Sequence, residues 1–404
     1  MLKAASLAYA IFITLIIAIL CYALLLIFSL NNNLEDYFTL RKKLLIHNHS
    51  AIAVMKANYS TNGLNGQQIF PHEAAISSTI STTTWGAFSK CQINTYSKKD
   101  TVQQVYLLAD LYNKDLPALY LRDNDEDFKI SGNTIINGDV YISGRGIKKI
   151  QVSGVQTVEN PIHTGQVFTS DKILPRFQPL ELTYPEGYVL MLFDDIKTNS
   201  VINGFDKKTK VINVGSVLEN IQLKGNIIIR SNDTIQVKAS AILEDIIIEA
   251  PKVVFQEGFI GNLQVFATHE VVLDSRTHLN YPSVIVVGSN ESEEKNIVLK
   301  ENSVLNGAVI LYGDGLRDES KNKMIIEPNS KVTGTIFCDG VLAIYGSVNG
   351  SVITSSLEHK TLTTNHRNLI LNGSIIADKI PSPYFQIQPL EKYKTGHPVI
   401  LKKL

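Results

Sequence analysis

The sequence predicts a mainly β protein: an N-terminal transmembrane α-helix with a helical stalk, then a right-handed parallel β-helix (solenoid) with loop insertions. Three observations carry this. Ala4 to Leu30 contains no charge. Five later segments share the pattern apolar-x-Gly-x-apolar. Between them the extra length is polar, as in SNESEEK at 289–295 and DGLRDESKNK at 313–322, which is how insertions decorate stacked strand units.

The apolar run spans roughly 40 Å as a helix, more than the ~30 Å hydrocarbon core of a bilayer needs. Bulky Phe28 and Leu30 precede Asn31, Asn32 and Asn33, so no small-residue cleavage site follows it. Leu20 precedes Cys21, which argues against a lipoprotein anchor. Lys3 stands on one side, and Arg41, Lys42 and Lys43 on the other behind Glu35 and Asp36. Charge count alone favours a cytoplasmic body, but the rule weakens for a long translocated domain. The expectation is a single-pass protein of the inner membrane with an exported body, a cytoplasmic body being the alternative. Leu34, Phe38, Leu45, Ile52 and Met55 recur near helical spacing and extend the helix as a stalk to about Ala57.

The expected organisation is an anchor at 1–33, then the stalk with a Ser/Thr/Asn-rich linker at 34–82. A small β-hairpin region at 83–128 holds Trp85, the only tryptophan. The β-helix occupies 129–379, interrupted by a proline-containing excursion at 144–209. A C-terminal cap or tail at 380–404 carries Pro381, Pro383, Pro389 and Pro398. The repeat glycines are Gly138, Gly307, Gly334, Gly350 and Gly373, read as structural corners where the chain turns with positive φ and no Cβ fits. Val237 and Val253, like Ile326 and Leu342, are read as equivalent coil starts 16 residues apart, with Asp245 and Gly261 at the glycine site of the earlier coils.

The long apolar helix leading through a polar one into β structure resembles type IV pilins and pseudopilins over about 60 residues, without their glycine-phenylalanine cleavage motif or glutamate. VTGTIFCDGVLAIYGSVNGSVITSS resembles the bactofilins, polymer-forming β-helix proteins of bacterial cytoskeletons. LPALYLRDNDEDFKISGNTIINGDVYISG resembles a group of bacterial membrane-anchored proteins without an assigned activity. These resemblances imply self-association or a pilin-like partner, and supply no catalytic residues.

The 404 residues carry no net charge, so the basic footprint of nucleic-acid binding is missing. Cys91 and Cys338 lack metal-site spacing and are read as ordinary half-buried thiols. His47-Asn48-His49 has the letters of a nuclease motif but lies in a predicted helix. Asp194-Asp195 ends an apolar strand, and Asp123 to Asp127 (DNDED) lacks calcium-loop spacing. Each is read as a solvated feature. No catalytic, cofactor-binding or metal-ligating residue and no cofactor is assigned. The partners expected are the lipid bilayer through residues 4–30 and another copy or a pilin-like subunit. The leading expectation is a membrane-anchored structural or scaffolding protein of the bacterial cell envelope, such as a minor component of a pilus-like or secretion assembly. The alternatives are a polysaccharide-acting β-helix enzyme of the envelope and a carbohydrate-binding adhesion module.

Overall fold

The computed structural model describes residues 2–59, 68–69, 76–152, 162–196, 198–289, 293–313, 321–361, 363–387 and 395–404. Parts of the predicted linker, the excursion with Pro161, both polar insertions and the tail with Pro389 lie outside these residues. The protein is mainly β with one long N-terminal apolar helix. It divides into two units, Met1–Ser81 with Gln92–Gln104, and Thr82–Cys91 with Val105–Leu404.

In the first unit a single helix, Leu2–Ala57, runs through the three asparagines without a break. Its C-terminal part buries Leu44, Asn48, Ala51, Ile52 and Met55, a stripe at three- and four-residue intervals that lies on one helix face. Leu44 packs with Ile76 and Val102. Of the predicted stalk positions, Ile52 and Met55 are buried, whereas Leu34, Phe38 and Leu45 face outward. The Ser/Thr-rich run read as the end of a linker is a strand, Ser77–Trp85. Its β-branched threonines suit a pleated surface, and Ser78 and Ile80 alternate inward.

The second unit is a parallel stack. One inward column runs in register through twelve rungs: Met191, Ile212, Ile229, Ile248, Val265, Ile285, Val309, Ile336, Val352, Leu119, Val140 and Val167. The order is not that of the sequence. The chain enters at Leu119–Leu121, adds rungs outward through Val140–Ile142 to Val167–Thr169, and starts again at the opposite end with Val189–Leu192. It then climbs until Ser347–Lys360 pairs with Leu119–Leu121. The predicted excursion therefore contains end rungs at both extremities, and only 170–188 runs between them.

The predicted coil equivalences are also displaced. Val253 pairs with Ile235 and Val237 with Phe255, and Ile326 pairs with Ile344. Each pairing is two residues from the sequence-based alignment. A strand repeats every two residues, so a two-residue slip leaves the same side chains facing inward. Val332, Ile336, Val348 and Val352 are all fully buried in the inner core.

Beside the inward column runs an outward one: Glu249, Phe266, Val286, Ile310, Phe337, Ile353, Tyr120, Tyr141 and Phe168. Most of it is apolar and belongs to a second buried cluster. Three segments cover it. The hairpin tip brings Trp85, which packs edge-on against Phe205 at 5.2 Å, and Phe88. Gln264 holds that tip by donating to the Trp85 carbonyl (3.0 Å) and accepting from the Ala87 amide (2.7 Å). The strap at 170–188 lays Phe177 on Phe337 and Tyr312, with centroids 4.4 and 4.9 Å away. The C-terminal strand Pro398–Lys403 pairs antiparallel with Tyr106–Asp110 of strand Thr101–Leu111. There buried Asp110 accepts from Gln386 Nε2 (3.0 Å), the Thr395 amide (3.1 Å) and Thr395 Oγ1 (3.0 Å).

Replacing Val352 with Asp puts an unpartnered carboxylate in the middle of the inward column. The expected loss is roughly 3–5 kcal/mol, read as a lowered unfolding midpoint of the detergent-solubilised chain. Melting like the parent would contradict the column.

Candidate functional site

The helix has two differently dressed halves. From Leu7 to Leu30 its large apolar side chains are exposed, and its most apolar 18-residue window has a mean hydropathy of 3.1, enough in length and composition to cross a membrane. Beyond the asparagines, Leu34 (55% exposed), Phe38 (65%) and Leu45 (37%) continue an apolar stripe down one side. Asn48 is fully buried; its Nδ2 donates to the Ile93 carbonyl (3.2 Å) and Thr95 Oγ1 (3.1 Å). Thr95 in turn shares a 2.8 Å hydrogen bond with Ser78. Arg41 donates to Asp100 (2.9 Å) and to the Thr101 carbonyl (3.1 Å). That hydrogen bond, with the charge behind it, raises the Arg41 pKa and lowers that of Asp100.

The repeat glycines do not all sit alike. Gly307, Gly334 and Gly350 are aligned on successive rungs, with φ of +156°, +133° and +143°. A Cβ at Gly334 would fall on the carbonyl oxygen of Gly307, and one at Gly350 on that of Gly334. Gly307 and Gly350 lie within strands Val304–Tyr312 and Ser347–Lys360. The glycine thus marks a bend inside a strand, where backbones of adjacent rungs close on one another. Gly138 has φ +123°, and a Cβ added there would lie 3.0 Å from the Cβ atoms of Ala118 and Ala377. Gly373 differs: the positive φ belongs to Asn372 (+59°), and a Cβ on Gly373 would press on Ile370 Cγ2 at 2.9 Å. In an earlier coil Asp245 takes the position with φ +58°.

The acidic and histidine motifs do not converge. Asp194 and Asp195 are exposed in a short 3-10 turn, Phe193–Asp195, and the strand before it pairs with Lys210–Asn213, which carries no acid. In the 123–127 loop, Lys148 takes Asp127 (2.6 Å), Lys172 takes Asp125 (3.1 Å) and the Asn368 amide donates to Glu126 (3.3 Å). The Lys148 hydrogen bond lowers the Asp127 pKa, and the Asp125 amide lowers that of Asp123. His47 is half-buried and His49 exposed on the helix surface. Among the described residues no group of three or more His, Cys, Asp and Glu side chains is placed to hold a metal ion. Cys91 and Cys338 are both buried and unpaired; burial raises each thiol pKa, to about 11 for Cys91.

One feature was invisible in the sequence. A cleft of about 410 Å³ lies between the strap and the stack, lined by Leu180, Phe266, Tyr312, Arg230 and Glu249. Tyr184 donates its hydroxyl to Glu249, and Arg230 Nε lies 3.6 Å from the same carboxylate. Burial raises the Glu249 pKa. The strap brings Tyr184 to Glu249 across 65 residues of sequence, a juxtaposition that local periodicity does not encode.

No protein-family model matches the chain, and no curated protein matches it. Among solved structures, the crystal structure of the competence-associated pilin ComZ from Thermus thermophilus is similar at 10% identity and a TM-score of 0.22, covering 84% of this chain and 86% of that one. At that score the likeness carries no argument about fold or role.

Two substitutions test the glycine alignment. Gly334→Ala forces a Cβ into the neighbouring backbone at a positive φ and is expected to cost on the order of 3 kcal/mol. Gly215→Ala, with open space around it, is expected to stay within about 0.5 kcal/mol of the parent. Chemical denaturation of both checks the contrast. Separately, Asn48→Ala removes a buried donor from two acceptors and is expected to cost roughly 1–3 kcal/mol. Faster proteolysis between the helix and strand Ser77–Trp85 would report it.

Proposed function

We propose that this chain is a membrane-anchored structural subunit of the bacterial cell envelope that enters a pilus-like or secretion assembly through its N-terminal helix. Its parallel stack is a right-handed β-helix that acts as a rigid body rather than as a catalyst. The observation that carries the reading is the helix itself. One continuous element is apolar and exposed over its first half, yet seated by a buried stripe and Asn48 over its second half. A plain tether needs no fixed seat. A helix rigidly mounted on a folded unit transmits its direction to that unit, as a subunit packed in a helical bundle requires. The exposed stripe of Leu34, Phe38 and Leu45 extends the greasy surface beyond the charge-free run, onto residues outside the bilayer core. There it suits packing against the same helix of another subunit or a pilin-like partner. The body lies on the far side of the inner membrane.

Phe38→Cys in a Cys21→Ser background tests the interface. Mild oxidation of membranes is expected to give disulfide-linked dimers, while Lys43→Cys, exposed on the opposite face of the helix, gives none. Monomers alone from both variants, at native expression, would sink the proposed interface. A reporter active only in the cytoplasm, fused after Leu404, is expected to be silent; activity would reverse the orientation.

A further inference from the structure

Strand Ser347–Lys360 closes in a short antiparallel hairpin with Asn365–Arg367, in which Glu358 pairs with Arg367, His359 with His366 and Lys360 with Asn365. Directly opposed residues on antiparallel strands project from the same face with Cβ atoms about 5 Å apart. Two imidazoles therefore stand side by side. His359 is only 6% exposed, and its Nδ1 is buried without a hydrogen-bond partner. The Tyr345 ring packs on it, 4.7 Å between centroids, and that tyrosine's hydroxyl already accepts from the Lys360 amide at 3.1 Å. A buried ring nitrogen left without a partner is a cost the fold does not otherwise explain.

The hairpin turn fixes the tautomer of the second ring. Thr361 Oγ1 lies 3.1 Å from the Thr364 carbonyl oxygen, which can only accept, so the Thr361 proton points there. Thr361 Oγ1 also lies 2.8 Å from Thr364 Oγ1. Its own proton being engaged, it accepts the proton of Thr364. Thr364 Oγ1 then has only lone pairs left for His366 Nε2, 2.9 Å away. So His366 carries its proton on Nε2 and leaves a bare lone pair on Nδ1.

We propose that His359 and His366 chelate one divalent transition-metal ion of the imidazole-preferring class, Zn²⁺, Cu²⁺ or Ni²⁺, through their Nδ1 atoms. Water completes the coordination. Imidazole is the ligand these ions share, and it binds them only when neutral. The Thr364 acceptor matches the usual arrangement in which a ligating histidine hands its other N–H to a fixed oxygen, so Thr364 is a positioning residue. Bound metal would cross-link the two strands of the hairpin beside the rung where the chain's late and early segments meet.

Cu²⁺ alone is the probe, titrated into the full-length chain in detergent and followed by calorimetry and electron paramagnetic resonance. The parent is expected to bind one Cu²⁺ more than the His359→Gln/His366→Gln double variant, with two nitrogen ligands in the spectrum. His366 is half-buried, so His366→Gln is expected to keep the parent's metal-free melting temperature while losing at least tenfold in affinity. Thr364→Val keeps both rings and is expected to weaken binding about tenfold. Binding through other histidines is common to all variants and cancels in the comparison. Equal stoichiometry and affinity in the parent and His366→Gln, or a spectrum with fewer than two nitrogens, would overturn the site.

Discussion

The organisation of the second unit follows from one constraint: the sheet that carries Phe266, Val286, Ile310, Phe337 and Ile353 is apolar on both faces. A stack of parallel strands can fill its inner face by itself, but it cannot hide an outward apolar column. Burying a large apolar side chain contributes roughly 1.5–3 kcal/mol, so a row of five exposed ones would be a severe liability. The hairpin tip, the strap and the C-terminal strand are the solution, and aromatic contacts fix the tip, the strap and residues 384–385 that precede the strand. Phe88 packs edge-on to Phe385 at 5.3 Å, and Tyr281 lies 4.9 Å from Tyr384. Tyr384 also donates to the Thr333 carbonyl at 2.6 Å, beside the bend at Gly334. The strap, through Phe177 on Phe337, and Tyr384 are thus both tied to the strand that bends at Gly334.

The first unit solves a different problem: one continuous helix has an exposed apolar first half and a second half seated by a buried stripe. Nothing in the helix backbone changes at Asn31–Asn33; what changes is what the side chains meet. A polar residue inside a buried stripe would normally be destabilising. Asn48 is tolerated because two acceptors converge on its amide group, and their position fixes the rotation and axial register of the helix.

The parts of the fold that were legible in the sequence are those with a local period. The charge-free run, the inward valines and isoleucines and the repeat glycines all announce themselves within a few residues. The coil alignment was off by two because a strand pattern is blind to a two-residue slip. The outward column was written in the sequence as unbroken apolar runs, 284–287 and 308–312, which indicate burial on both faces. They do not say what lies on the second face. The strap, the tail strand and the order of rungs depend on pairings hundreds of residues apart and have no local signature. The same holds for the sites. Gly334 and Gly350 could be singled out from spacing. Asn48 reads as solvent-facing until the helix is seated, and the facing of His359 and His366 needs the hairpin register.

The order of rungs has a consequence for how the chain is made. Leu119–Leu121 and the rungs beyond it leave the ribosome early, yet the rung beneath them, Val352–Thr354, is synthesised more than two hundred residues later. Until then the early segment has an open strand edge and no foundation. Folding in step with translation can complete the middle of the stack but cannot join it. The final event is a docking across a very long sequence separation, slow by contact-order reasoning and exposed to mispairing while it waits. A premature stop before residue 352 would therefore release two unmatched edges rather than a shortened stack.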